Sequence, residues 1–275
     1  DGVDATPPDE ANEAVEEVKP WVWSGLYNAA MTQTSLTNWA AGGNNNVNVN
    51  ALMKQLAVYS KNKWTWNNLL EANFGYNFQP GRDVKTDDRL EFTTRLDRDL
   101  GSPDWRLSLF ANFRTQFADG FKDPDYDTPI SRLMAPGYFT YGIGITNASV
   151  KGLSVYFSPF QVKQTFVLDS TLAADGAFYA IDAPNVATLS AGGTFRTELG
   201  AYIDIMYKKA FSEQFEVTSK LNLFSNYLDR PQNIDVNWET LFLMKVYKNL
   251  SVSLALHLIY DNDVNVRTIN GADKP

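Results

Sequence analysis

Between residues 194 and 209 the chain reads TFRTELGAYIDIMYKK, and its side chains sort by twos. One set holds Phe195, Thr197, Leu199, Ala201, Ile203, Ile205 and Tyr207; the other holds Arg196, Glu198, Gly200, Tyr202, Asp204, Met206 and Lys208. Only an extended chain keeps these sets apart, because successive side chains of a strand point to opposite faces. The period returns in 105–117, where Trp105, Leu107, Leu109, Ala111 and Phe113 alternate with Arg106, Ser108, Asn112 and Arg114. It returns again in 215–227, where Phe215, Val217, Leu221 and Leu223 stand against Glu216, Thr218, Lys220 and Asn222. This pattern predicts an all-β protein.

Strand length narrows the choice. Soluble strands are typically about 5–6 residues long, and a tilted strand crossing a bilayer needs about 9–11. Strands predicted near 23–34, 46–59, 64–78, 87–99, 104–118, 136–147, 152–164, 192–208, 212–227, 234–247 and 250–261 all reach the longer range. Aromatic residues mark segment ends, as at Trp64 and Trp66 and then Tyr76 and Phe78, which is where membrane barrels place their girdles. Aromatic content is 13% although mean hydropathy is only −0.30. No apolar run reaches the roughly 18 residues of a spanning helix.

The connections sort as well. Those at 35–45, 79–86, 119–135, 165–191 and 228–233 read as long; those at 60–63, 100–103, 147–152, 209–212 and 248–249 read as tight. Outer-membrane barrels have long extracellular loops and short periplasmic turns. The predicted architecture is a membrane-spanning, antiparallel, up-and-down β-barrel over 21–275, of about 12 strands because single-chain bacterial barrels have even counts. The closing strand is expected after Pro275, or else within 165–191. Residues 1–20 carry Asp1, Asp4, Asp9, Glu10, Glu13, Glu16 and Glu17 against Lys19, and hold most of the net charge of −8. They predict a flexible periplasmic arm, with a short helix near 10–18 as the alternative. The chain starts on Asp1, without Met or an apolar leader, and reads as a mature form; without an N-terminal Cys it does not read as a lipoprotein.

Six blocks, TQTSLTNWAAGGNNNVNVNA (32–51), KWTWNNLLEANFGYN (63–77), KTDDRLEF (85–92), FRTQF (113–117), SRLMAPGY (131–138) and LSVYFSPF (153–160), resemble in this order an uncharacterised domain-of-unknown-function family of Bacteroidota outer-membrane proteins. The resemblance covers 21–269. It implies an outer-membrane β-barrel and carries no assigned activity. In that frame 35–45 is the first extracellular loop, where Gly42 and Gly43 permit positive φ and Asn38 and its neighbours bond nearby backbone. Asn46, Asn48 and Asn50 then face the lumen, with Val47, Val49 and Ala51 toward lipid. Trp39 either packs against its own loop or folds over the barrel mouth to meet a partner.

Candidate chemistry is sparse. Cysteine is absent, which removes thiolate metal sites and cysteine nucleophiles. The single histidine, His257, faces inward with Ser251 and Ser253, but positions 255 and 259 are Ala and Ile, so the serine–histidine spacing of outer-membrane phospholipases is missing. Asp123, Asp125 and Asp127 are interrupted by Pro124 and lack the glycine and glutamate of a helix-loop-helix calcium site. The acidic pairs Asp87–Asp88 and Asp261–Asp263 read as solvated loop charge. No cofactor or metal is expected, and an acidic chain without a basic stripe excludes nucleic acid.

The inward faces are the informative constellation: Glu71, Glu91, Arg95, Arg106, Arg114, Arg196, Glu198, Asp204, Glu216, Lys220, Glu239 and Lys245. Both signs interleave, whereas a selective pore lines itself with one sign. Opposite charges projecting into a narrow lumen pair and block it. The sequence therefore points to a non-enzymatic outer-membrane barrel that serves as a structural or accessory subunit. Its expected partners are outer-membrane lipids (lipopolysaccharide and phospholipid) and other outer-membrane or periplasmic proteins. A narrow porin-like channel for small solutes is the alternative.

Overall fold

A computed structural model describes residues 19–38, 40–102, 104–122, 125–174, 194–248, 250–260, 266–267 and 273–274. Residues 1–18 of the 1–20 arm, Trp39, Asp123 and most of 165–191 lie outside them, as do Asp261 and Asp263. Eleven strands form one antiparallel sheet in chain order: β1 (Trp21–Thr34), β2 (Asn46–Lys61), β3 (Trp64–Gln79), β4 (Arg82–Ser102), β5 (Trp105–Thr115), β6 (Gly137–Asn147), β7 (Leu153–Phe166), β8 (Phe195–Ala210), β9 (Phe215–Asn226), β10 (Ile234–Tyr247) and β11 (Leu250–Tyr260). A short helix, α1 (Ser170–Ala174), follows β7, and a separate two-stranded pair, β12 (Val266–Arg267) and β13 (Asp273–Lys274), follows β11. Among the described residues no helix is long and apolar enough to cross a membrane, a statement that does not bear on a β-barrel.

Each strand pairs with its sequence neighbours, the up-and-down order that the alternation predicted. The sheet is not closed: β1 pairs only with β2, and β11 only with β10. Strands of the eleven-stranded sheet range from 11 residues in β5 to 21 in β4.

One connection differs from its sequence expectation. Residues 79–86, read as a long loop, contain a two-residue turn at 80–81, and β3 and β4 run on as a paired ladder to Gln79↔Arg82. Pro80 presets φ for the first central turn position, and Gly81 takes φ 83°, which suits the second position of a type II turn. Polar residues in GRDVKTDD concealed the strand, since a ladder held by backbone bonds does not need an apolar face. The remaining connections keep their asymmetry, with 35–45, 116–136, 167–194 and 227–233 at one end and 62–63, 103–104, 148–152, 211–214 and 248–249 at the other.

Two ladder irregularities fall close together at β6–β8. Register shifts fall between Ile143 and Ile145 against β7, and between Ser158 and Gln161 against β8. Pro159, which has no amide hydrogen for the ladder, sits in that irregularity. The inserted residue flips the alternation, so that Tyr156 and Ser158 share a face with Gln161, Lys163 and Thr165. Space for these side chains comes from Gly142 and Gly144 of β6: a Cβ at the first would collide with Gln161 and Ser158, and at the second with Phe157 and Tyr156.

Candidate functional site

Directly opposed residues of neighbouring strands share a face, so the registers assign each side chain to one side of the sheet. The chain of pairings Lys54↔Glu71↔Glu91↔Arg114↔Tyr138↔Thr165↔Arg196 defines the inner face from β2 to β8. Asp204↔Asn222↔Asn237 and Lys220↔Glu239↔His257 carry it on to β11. Arg95, Arg106, Glu198, Glu216 and Lys245 lie on this same face.

The inner face is polar, and from β3 to β9 much of that polarity is buried. Asp97 is 1% exposed, and Ser108, Thr146, Ser158 and Gln161 are fully covered. Asp97 lies at the centre of one network, where Arg95 Nε donates to its Oδ2 at 3.0 Å and Ser108 Oγ donates to its Oδ1 at 2.5 Å. Ser108 and Thr146 hydroxyls then meet at 2.6 Å, tying β4 through β5 to β6. In a second network, Lys54 Nζ lies 2.5 Å from Glu71 Oε1, and Arg89 reaches both Glu71 at 3.2 Å and Glu91 at 3.1 Å. Asn112 Nδ2 donates to Glu91 Oε1 at 2.7 Å, and the Arg114 guanidinium lies over the Tyr138 ring at 4.9 Å. Arg106 pairs with Asp99 at 3.2 Å and Arg196 with Glu198 at 3.2 Å.

Several contacts skip strands, which shows how tightly the face is curled. Lys163 of β7 lies 3.6 Å from both Glu198 of β8 and Asp235 of β10, and its ammonium sits 5.3 Å from the Phe224 ring centroid on β9. Phe110 of β5 approaches Tyr156 of β7 at 5.8 Å and Tyr202 of β8 at 6.1 Å between centroids. Charged and aromatic side chains thus meet across the concavity.

The outer face is apolar and exposed. Leu109 is 49% exposed, and Leu107, Ile143, Ile145, Phe157, Leu254, Leu256 and Leu258 share its side and its exposure. Aromatic residues gather at two heights. At the tight-turn end, Trp21 contacts Trp23, Tyr59 and Trp66 at centroid distances of 5.8, 5.2 and 5.7 Å. At the long-connection end, Phe74, Tyr76 and Phe78 stack in a row, and Phe139–Tyr141 and Phe166–Phe195 pairs continue the level.

The long connections are themselves ordered where described. Arg132 binds Asp119 at 3.3 Å and Asp169 at 2.8 Å, joining 116–136 to the segment that starts α1. Asp169 Oδ1 accepts the amides of Thr171 and Leu172, both at 3.0 Å; the Leu172 bond chiefly, with help from Arg132, holds its carboxyl below the usual aspartate range. Ala135, Val167, Leu172 and Ala173 bury themselves beneath this junction.

The other sequence candidates are placed as follows. Asn38 has φ 54°, and Gly42 and Gly43 have φ 84° and 105°; Asn45 Oδ1 accepts the Leu36 amide at 2.6 Å, closing the 35–45 loop. His257 Nε2 lies 2.7 Å from Asn237 Oδ1 and 3.6 Å from Glu239, so that nitrogen donates to the amide oxygen. Asp125 Oδ1 is occupied by the amides of Asp127 and Thr128, and among the described residues no cluster of three or more His, Asp or Glu could hold a metal ion.

Sequence reasoning did not single out Lys54, Arg89, Asp97, Asp99, Lys163 or Asp235. All except Lys163 follow from extending the same alternation by a few residues. Lys163 could not be found that way, because the β7 bulge moves it to the face that its odd number denies it.

Residues 31–121 match the model of a family described as Protein of unknown function (DUF3078). The DUF3078 stretch takes in the end of β1, all of β2–β5 and the beginning of the next connection. It therefore contains Lys54, Glu71, Arg89, Glu91, Arg95, Asp97, Arg106 and Arg114, and agrees with the resemblance to an uncharacterised family over that part of the chain. No curated protein matches the chain.

Proposed function

We propose that this protein is a non-enzymatic outer-membrane β-barrel with a largely occluded lumen, acting as a structural or accessory subunit of an outer-membrane assembly. The observation that supports this most is the inversion of polarity between the faces. A sheet that hides carboxylates, hydroxyls and guanidinium groups while presenting Leu, Ile, Phe and Val outward suits hydrocarbon outside and a polar interior. Strand lengths fit a tilted crossing, and the two aromatic levels fit the two lipid–water interfaces.

The contacts between non-neighbouring strands, Lys163–Asp235 and Phe110–Tyr202 above all, support the occluded reading. Mixed-sign pairs leave no single-sign lining for an ion to follow. The ordered junction of 116–136 with 167–174 supplies a stable surface for other proteins at the long-connection end.

The test is single-channel recording of the purified protein in planar bilayers, together with its isolation in mild detergent from native membranes. The reading predicts no steady conductance and stoichiometric co-purification with another outer-membrane or periplasmic protein. Steady conductance from an isolated monomer would replace it with a narrow small-solute channel. In that recording, Phe110→Ala with Tyr202→Ala is expected to open current that the unchanged protein lacks.

A further inference from the structure

The 35–45 loop and the 80–81 turn frame two adjoining cavities, of about 490 and about 320 Å³, which share Asn45 and Pro80 as a common wall. Both volumes fall within the range of about 300–1,000 Å³ typical of small-molecule sites. Asn38 and Asn44 line the larger one beside Leu36 and Gly43. Gln33, Ser35, Asn46 and Gln79 line the smaller one beside Phe78. Among the described residues that line the two cavities, none carries a charge. That neutrality sets the corner apart from the inner face of β2–β4, where Lys54, Glu71 and Arg89 meet.

The amides of this corner divide into two sets. One set ties the backbone down: Asn45 Oδ1 accepts the Leu36 amide at 2.6 Å, Asn46 Nδ2 donates to the Asn44 carbonyl at 3.1 Å, and Asn48 Nδ2 donates to Asn46 Oδ1 at 2.8 Å. At Gly43 the loop closes on Leu36, whose Cδ1 would lie 3.1 Å from an added Cβ. The other set, Gln33, Asn38 and Asn44, is exposed and makes no side-chain hydrogen bond among the described residues. Gln79 adds a donor, since its amide oxygen already accepts Arg82 Nε at 3.4 Å. A loop shaped by its own side chains presents the remaining amides with little ordering cost on binding.

A side-chain amide combines an acceptor with two donors, which suits neighbouring hydroxyls that are donor and acceptor at once. Leu36, Pro80 and the Phe78 ring, 43% exposed, add apolar surface for the C–H face of a sugar ring. A phosphate or carboxylate finds no cation among these groups, and an extended peptide is recognised chiefly along a strand edge. Phe78 also ends the Phe74–Tyr76–Phe78 row, so the smaller cavity opens where the apolar wall stops. We propose that this corner binds a neutral saccharide, with Gln33, Asn38 and Asn44 as its hydrogen-bonding groups and Leu36 and Phe78 as its apolar contacts. The sugar is either a soluble glycan or the headgroup of a glycolipid in the outer leaflet; only the second source rests on the barrel reading.

Isothermal titration of the full-length protein in phosphatidylcholine nanodiscs tests the soluble source, with maltohexaose, mannohexaose and cellohexaose as neutral probes. Hexagalacturonate serves as the acidic probe and an uncharged peptide of Gly, Ser and Thr as the peptide probe. Native mass spectrometry from mixed micelles tests the lipid source, reading retention of digalactosyl diacylglycerol over phosphatidylcholine. The expected result is saturable binding of a neutral saccharide in at least one arm, unchanged at high salt because no charge takes part. Asn38→Gly with Asn44→Ala, in which glycine keeps the φ of 54° at position 38, should weaken it about tenfold, as the loss of two ordinary hydrogen bonds would. Gln33→Ala, on β1 and outside the loop, should weaken it several-fold, and Asp127→Asn in the 116–136 connection should leave it unchanged.

Binding of a hexasaccharide supports the proposal with a soluble glycan as the source, and retention of the glycolipid alone supports it with a lipid headgroup. No binding in either arm would overturn it. So would tighter binding of hexagalacturonate or of the peptide than of any neutral sugar, or an affinity that neither Asn38→Gly with Asn44→Ala nor Gln33→Ala moves. Failure of the barrel reading would look different, as outer-face positions open to water while hexasaccharide binding stands.

Discussion

Ser108 and Leu109 are neighbours on β5 and sit in opposite surroundings: the serine is 0% exposed and the leucine 49%. In a protein bathed in water that ranking runs the other way, because burying an apolar side chain is favourable and burying a hydroxyl costs free energy unless it is hydrogen-bonded. Here the buried hydroxyl is bonded twice, to Asp97 and to Thr146, and the exposed leucine belongs to a continuous apolar wall. The same inversion holds for Asp97 against Leu96 and for Thr146 against Ile145, so it characterises the two faces and not one residue. Cohesion inside comes from polar networks, and the outer wall takes its stability from the solvent it meets.

If that contrast is right, the largest single loss should come from the inner face. Asp97→Ala strands Arg95 and removes the acceptor of Ser108, and should destabilise the fold by roughly 3–5 kcal/mol, the usual range for removing one partner of a buried pair. Urea unfolding in lipid vesicles measures it. Next comes the outer wall, where Leu109→Arg or Ile143→Arg should cost about 2–4 kcal/mol in the same assay if these positions lie near the bilayer midplane. Equal stability of these variants would remove lipid from the account.

A smaller effect sharpens the picture of the interior. Lys163 and Asp235 belong to strands three places apart and are each partly exposed, so a double-mutant cycle on Lys163→Ala and Asp235→Ala should show coupling of about 0.5–1 kcal/mol. Zero coupling would mean that the interior is open between β7 and β10. The least effect concerns acid. Asp169 is held below the ordinary aspartate range, so its contribution is present above that range and disappears only as pH falls through the lowered value. Proteolysis near 167–174 should stay constant from neutral pH down to about 4 and rise below it. Asp169→Asn should abolish the acid step.

The strands were legible from the sequence because alternation is a property of the backbone and survives any solvent. Glu91 and Arg95 were found by counting in twos, and the count, carried on, reaches Arg89, Asp97 and Asp99. Counting fails at an inserted residue. The bulge around Pro159 reverses the parity of β7, and Lys163, which bridges β8 and β10, is invisible to any reading that assumes an unbroken period. Polar composition misled in the opposite sense at 82–86, where a strand was read as loop although Pro80 and Gly81 had the residues of a tight turn. The order of the 116–136 and 167–174 segments was hidden because Arg132, Asp119 and Asp169 are brought together only by the fold.

The inversion of the two faces is tested most directly by nitroxide labels on the full-length protein in lipid bilayers. Labels at Leu109, Ile143 and Leu199 are predicted to relax with oxygen dissolved in the hydrocarbon and to be shielded from a water-soluble nickel complex. Labels at Asn112, Thr140 and Thr218, on the opposite face of the same sheet, are predicted to be shielded from the hydrocarbon. Outer labels that respond to the nickel complex, with no oxygen contrast between the two sets, would contradict the account.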